Sequence, residues 1–274
     1  MNPHNHEPTR QVSIHRLRGD ERNPAADVLA VEEPMEIRIG KVSIVVTMRT
    51  PGHDHELAAG FLYTEGIISD ADALLGLSHC KDLADADAEG NVVMAELAED
   101  AVVALEQVSR RFHVTSSCGV CGKTSIDQVC RRVEPITSAS VVPREVLARL
   151  PVRMRDAQRI FGLTGGLHAA ALFTLDGRLR CVREDVGRHN AVDKLIGWAM
   201  LEGEIPLEDH VLLVSGRASF EIVQKASAAR IPIVASVSAP SSLAVSLAVE
   251  SSMTLVGFLR GEDMNVYAGA ERIR

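Results

Sequence analysis

VLLVSGRASFEIVQKASAARIPIVASVSAPSSLAVSLAVESSMTLVGF, residues 211–258, alternates short aliphatic runs with stretches of helical spacing. Val211–Val214, Ile231–Val237 and Met253–Phe258 predict strands, and Ser219–Ala229 and Ser241–Glu250 predict the helices between them. Strands so uniformly apolar are buried on both faces, which predicts an α/β fold on a largely parallel sheet. Two strand-to-helix junctions in this stretch are small and polar: Ser215–Gly216–Arg217–Ala218–Ser219 and Ser238–Ala239–Pro240–Ser241–Ser242. In open α/β sheets ligands settle beyond the carboxyl ends of the strands. Free N–H groups at a helix start favour phosphate, Gly216 lets the backbone approach, and Arg217 offers a bidentate contact. The plainer reading is capping by Ser219 and Ser241.

Upstream, His168–Thr174 and Arg178–Arg183 flank Asp176–Gly177, a hairpin signal, and Arg188–Leu201 predicts a helix. His168 follows the Gly165–Gly166 turn and serves either a ligand or the core. The run from Arg183 to Asn190, continuing to Asp193 and Lys194, is dense in hydrogen-bonding groups. Its i,i+4 pairs, His189 with Asp193 and Asn190 with Lys194, fit decoration of a helix face. Pro143–Gly162 predicts one or two helices broken at Pro151. Residues 143–274 are thus expected to form an α/β unit, preceded by a smaller β-rich part over 27–142. In that part Val28–Val31 and Met35–Thr47 predict strands, with a turn at Gly40–Lys41. Asp54 is placed to cap a helix running to about Glu65, and Asn91–Leu97 predicts β structure. His53–Asp54–His55–Glu56 reads as a cap and surface charges rather than metal ligands, because consecutive helix positions diverge. Residues 1–26, polar and rich in His, Pro, Asn and Arg, read as a loose tail.

With 29 basic and 37 acidic side chains the formal charge is −8, which argues against non-specific nucleic-acid binding. No apolar run reaches the roughly 18–20 residues that span a bilayer, and the N-terminus lacks the apolar core of a signal peptide. The expectation is a cytoplasmic protein with reduced thiols and no membrane partner. Five cysteines at these spacings do not form a disulfide framework.

Cys118–Gly119–Val120–Cys121 is the sharpest chemical signal. It lies in a small, polar, glycine-containing segment, residues 115–125, that predicts a mobile loop. A thiolate here can attack a persulfide, hold the outer sulfur and release it to an acceptor, and the second thiol can discharge it by forming a disulfide. Two other readings stand beside this one. His113, Cys118, Cys121 and Cys130 are sufficient in number for structural zinc, although no second Cys pair is present; a thioredoxin-like pair would open a helix after a strand. A zinc deaminase also uses Cys-x-x-Cys, but its His-x-Glu or Cys-x-Glu partner is missing from the chain. Cys80, Cys130 and Cys181 read as small buried hydrophobes. There is no P-loop and no G-x-G-x-x-G, so ATP hydrolysis and a dinucleotide oxidoreductase fit poorly.

From about Glu32 to Tyr267 the sequence resembles the formate dehydrogenase accessory sulfurtransferases. The matching stretches include Thr50–Pro51–Gly52–His53–Asp54, Gly60–Phe61–Leu62–Tyr63–Thr64–Glu65–Gly66, Ser117–Cys118–Gly119–Val120–Cys121–Gly122, Thr164–Gly165–Gly166–Leu167–His168, Glu184–Asp185–Val186–Gly187–Arg188–His189–Asn190 and Ser215–Gly216–Arg217. The resemblance implies a protein that takes sulfur from a cysteine desulfurase and delivers it to molybdenum (or tungsten) in the bis-molybdopterin guanine dinucleotide of formate dehydrogenase. It implies Cys118 as persulfide carrier, Cys121 as its partner, and a cofactor-binding stretch at Phe258, Leu259, Arg260, Gly261, Glu262 and Asp263. It also implies a cytidine-deaminase-like mixed sheet flanked by helices, a homodimer, and contact with the formate dehydrogenase catalytic subunit; zinc is not expected. The alternative function is a non-catalytic chaperone that shelters the molybdenum cofactor for the apo-dehydrogenase.

Overall fold

The computed structural model describes residues 7–80, 90–99 and 134–274. The first described elements are β1 (Thr9–Arg18) and β2 (Glu21–Ala30), an antiparallel ribbon closed at Gly19 with φ +56°. From Thr9 onward the expected loose tail is therefore a hairpin. Its backbone partners are local, Ile14 facing Ala25 across the pair, so the ribbon forms without a wide apolar face.

Next come β3 (Glu33–Ile39), β4 (Val42–Arg49), α1 (Asp54–Thr64), β5 (Leu74–His79) and β6 (Val92–Leu97). The four strands make one sheet in the order β4-β3-β6-β5. Met35, Ile37 and Ile39 recur at period two and point into a core closed by Leu57, Ala58 and Leu62 of α1. The cap lies one residue earlier than expected: His53 holds the N-cap position in the left-handed region, φ 60°. Asp54 lies inside the first turn and is buried, because both its carboxylate oxygens accept from the Arg49 guanidinium, at 3.0 and 3.1 Å.

The remaining elements are α2 (Arg144–Ala157), α3 (Arg159–Thr164), β7 (His168–Thr174), β8 (Leu179–Asp185), α4 (Arg188–Leu201), β9 (His210–Val214), α5 (Phe220–Ala228), β10 (Ile233–Ser236), α6 (Ser242–Glu250), β11 (Thr254–Arg260) and β12 (Asp263–Ala268). Their six strands form a second sheet in the order β12-β11-β10-β9-β7-β8. Alternate residues feed two cores. Leu172, Leu212, Val234 and Leu255 meet α4, α5 and α6 on one face; Phe173, Leu213, Ala235 and Val256 meet Leu147, Leu150 and Met154 of α2 on the other. The fold is a mixed α/β sheet flanked by helices.

Two local expectations change. In the six-stranded sheet the parallel pairs are β9–β10 and β10–β11, because the β7–β8 hairpin inserts β7 antiparallel beside β9. The helix over Arg144–Ala157 runs through Pro151 and ends at Gln158 instead. A proline inside a helix costs about 3 kcal/mol. Full burial of Leu147, Leu150 and Met154 against the sheet, at about 1.5–3 kcal/mol each, outweighs it.

The two sheets are tied by α1 crossing α4. Gly60 and Gly197 sit at the crossing, where a Cβ on Gly60 would lie 1.9 Å from the Asp193 carbonyl oxygen. No helix among the described residues is long and apolar enough to cross a membrane.

Candidate functional site

β7 pairs antiparallel with both β8 and β9, and β9, β10 and β11 are mutually parallel. The carboxyl ends of β8, β9, β10 and β11 therefore share one edge of the sheet, as does the start of β7. Three of those ends lead directly into helices α4, α5 and α6. This edge gathers most of the residues expected to bind a cofactor.

His168 opens β7 on this edge. The Ser215 hydroxyl accepts from Ala169 N at 2.9 Å, and Ser215 N donates to Ala169 O at 2.9 Å, which fastens the β9–α5 junction beside it. Gly216 faces the His168 ring: a Cβ there would lie 3.3 Å from Nδ1. Ser236 donates to the Gly216 carbonyl at 2.6 Å, and Ala218 bridges to Pro240, so the two predicted junctions touch. Phe258 N donates to Ser238 O at 3.0 Å, extending the row to β11. Phe258 is partly exposed with φ 52°, and Leu259 is buried in the core behind it. Arg260, Gly261, Glu262 and Asp263 form the exposed turn into β12, with Gly261 at φ +59°. Behind this turn, Arg144 donates to the Glu262 carbonyl at 3.0 Å, beside a cavity of about 340 Å³ also lined by Arg149 and Gly261.

The expected serine caps differ. Ser241 caps α6, its hydroxyl accepting from Ala244 N at 3.2 Å. Ser219 occupies the N-cap position of α5 without capping it. Its hydroxyl lies 3.2 Å from His189 Nε2, which also contacts the Glu221 carboxylate at 2.7 Å.

Three arginines lie at this edge of a chain whose formal charge is −8. Among the described residues Arg188, Arg217 and Arg260 form no ion pair, and the Arg188 Nε is buried without a hydrogen-bond partner. Partial burial and then the Arg188 charge, with smaller contributions from His189 and Arg217, lower the pKa of His168 from its ordinary value against the opposing pull of Asp185. This favours a neutral imidazole near pH 7.

Under the edge lies a buried polar layer that sequence reasoning placed on a helix surface. Asn190, Asp193 and Lys194 are buried. Lys194 Nζ sits 2.7 Å from Asp185 Oδ2 and donates to Thr50 O at 2.8 Å. The other Asp185 oxygen accepts from Gly187 N at 2.8 Å and from Asn190 at 3.0 Å. Asp185 thereby fixes the start of α4. Glu184 accepts from Ile160 N and Phe161 N at 3.0 and 2.7 Å, fixing α3. Glu56, also expected at the surface, holds Arg183 in a two-point pair. Lys225 forms a second buried cluster with Asp193, Glu65 and Thr64. Lys194→Met is expected to strand the Asp185 carboxylate in the interior. Breaking a buried pair in this way costs about 3–5 kcal/mol, so urea unfolding should show a large drop in midpoint. A midpoint near wild type would remove the pair from the stability of the fold.

Cys118, Cys121, His113 and Cys130 lie outside the described residues. Cys181 is buried as expected, and burial pushes its thiol up to about 12. Cys80 is half-buried. Among the described residues no group of three or more His, Cys, Asp and Glu is placed to hold a metal ion.

A family model described as the FdhD/NarQ family matches residues 30–274. The chain belongs to the FdhD/NarQ family. Sulfur carrier protein FdhD of Streptomyces avermitilis is 52% identical over 272 residues, covering 97% of this chain and 95% of the relative. The protein of the same name from Mycobacterium tuberculosis is 50% identical over 266 residues, covering 95% and 96%. A crystal structure from Desulfotalea psychrophila, described as a formate dehydrogenase accessory protein, superposes with a TM-score of 0.77 at 24% identity, covering 97% of this chain and 99% of that one. At that identity the likeness speaks for the fold, which this FdhD/NarQ member shares from the amino-terminal ribbon to β12.

Proposed function

We propose that this FdhD/NarQ protein is a sulfurtransferase that accepts sulfur from a cysteine desulfurase as a persulfide on Cys118. It passes that sulfur to the molybdenum (or tungsten) of bis-molybdopterin guanine dinucleotide, the form that formate dehydrogenase requires. The observation that carries the reading is the 52% identity, over 97% of the chain, to a relative named as a sulfur carrier protein. The chemistry of the Cys118–Gly–Val–Cys121 pair fits it. The Cys118 thiolate attacks the outer sulfur of the donor persulfide; a new S–S bond forms, the donor S–S bond breaks, and the donor leaves as a thiolate. Attack by the Cys121 thiolate on the Cys118 sulfur then closes a Cys118–Cys121 disulfide and frees the outer sulfur as sulfide for the metal. A thiol reductant regenerates the pair.

The cofactor is the substrate in this reading, and its guanine nucleotide phosphates suit the arginines and strand-end backbone of the edge formed by Ser215, Gly216, Arg217, His168 and the Phe258–Asp263 turn. The partners are the desulfurase, the formate dehydrogenase catalytic subunit and a second copy of the chain, all in the cytoplasm. Incubation with cysteine and a desulfurase, followed by mass spectrometry of peptides, tests the carrier. One additional, reductant-labile sulfur is expected on the peptide containing Cys118 and Cys121. None is expected on Cys181, whose thiol burial keeps protonated at neutral pH. Added sulfur only on Cys80, Cys130 or Cys181 would refute the assignment.

A further inference from the structure

Arg188 and His189 open α4 at the same edge as the proposed cofactor site. Arg188 lies beside Gly216, its Cβ 3.8 Å from where a Gly216 Cβ would be, and its charge acts on His168 together with that of Arg217. Among the described residues neither arginine has a carboxylate partner. Two carboxylates close to them in sequence are already engaged: Asp185 by Lys194, and Glu221 by His189. An Arg188 Nε that is buried and unpartnered, beside the junction that carries the exposed Arg217, leaves a local demand for an anion. The start of α5 lies beside Arg188, reached by the His189–Ser219 contact. Its N-cap serine is turned to His189 instead of to the helix, so that turn keeps unmet N–H donors.

We infer that Arg188 and Arg217 together seat a phosphate or pyrophosphate group in the gap between the starts of α4 and α5, and that His189 keeps the seat open by holding Ser219 away from its cap. This rests on the cofactor-binding reading of the edge and adds to it the residues that grip the phosphates. Arg188 is a binding residue. His189, fixed by Glu221, is a positioning residue.

Calorimetric titration of the full chain with inorganic pyrophosphate tests the seat, with inorganic phosphate and GDP as separate arms. Wild type should bind pyrophosphate more tightly than phosphate, and Arg188→Met should weaken pyrophosphate at least tenfold. Arg188→Lys, which keeps the charge but loses the fork, should fall between them. His189→Ala should also weaken pyrophosphate, because Ser219 is then free to cap α5, and adding Ser219→Ala should restore it. No pyrophosphate binding by wild type, or unchanged affinity in both folded Arg188 variants, overturns the seat. Failure of the Ser219→Ala rescue overturns the role of His189. GDP binding no tighter than pyrophosphate counts instead against the guanine-nucleotide reading of the edge, so the two ideas fail separately.

Discussion

Gly197→Ala is expected to destabilise the protein by about 3 kcal/mol or more, at the upper end of the cost of overpacking a well-packed interior. A Cβ at Gly197 would lie 1.8 Å from the Glu56 carbonyl oxygen and 2.7 Å from Gly60 N. Both obstacles are backbone, so no rotamer change relieves them. α1 and α4 must separate, which draws Leu57, Ala58 and Leu62 away from their core and strains the Asp193–Lys225 pair beneath. Intrinsic helix propensity predicts the opposite sign, since alanine is favoured over glycine in a helix interior by about 0.8–1.0 kcal/mol. Urea unfolding of Gly197→Ala and Gly60→Ala therefore discriminates sharply. A variant as stable as wild type would show that the two helices do not meet backbone to backbone.

Cys118→Ala is expected to abolish sulfur delivery altogether. Without that thiolate there is no atom to carry the persulfide, and no neighbouring charge or hydrogen bond substitutes for a missing nucleophile. Activation of an apo-formate dehydrogenase by the variant should fall to the level seen with no accessory protein added. Its affinity for GDP should stay within about twofold of wild type, because the sheet-edge residues are untouched. This pair of readouts separates transfer from shelter: a chaperone that only holds the cofactor would keep activating the apoenzyme. Undiminished activation by Cys118→Ala would defeat the sulfurtransferase reading.

The aliphatic strands were legible because a sheet covered on both faces tolerates few polar residues, so 211–214 and 253–258 declare themselves without neighbours. Strand direction was harder to read. β8 follows β7 through a tight turn, and local pattern does not say which of them lies inside the sheet. The signal was present in composition: His168–Thr174 is almost wholly apolar, whereas Leu179–Asp185 carries Arg180, Arg183 and Glu184, as suits an edge strand. The amino-terminal hairpin was missed because its apolar residues are sparse and Pro24 interrupts β2; Gly19 was the available turn signal. At the edge, Ser215–Arg217 was legible as a strand-to-helix junction and His168 as a strand start, whereas the Phe258–Asp263 stretch rested on the family resemblance. The buried ion pairs were not, since Lys194 meets Thr50 across 144 positions of sequence and i,i+4 spacing alone suggested an exposed face. Ser219 looked like any helix cap until His189 was seen to occupy its hydroxyl.

The glycine crossing of α1 and α4 also bears on how such a chain can be inherited. A segment that keeps its backbone against another segment's backbone, with no side chain between them, cannot be exchanged for a foreign one of merely similar polarity. The four-stranded and six-stranded sheets are therefore not separable cassettes. Recombination between relatives that cut between them would have to preserve both glycines and keep both helices in register.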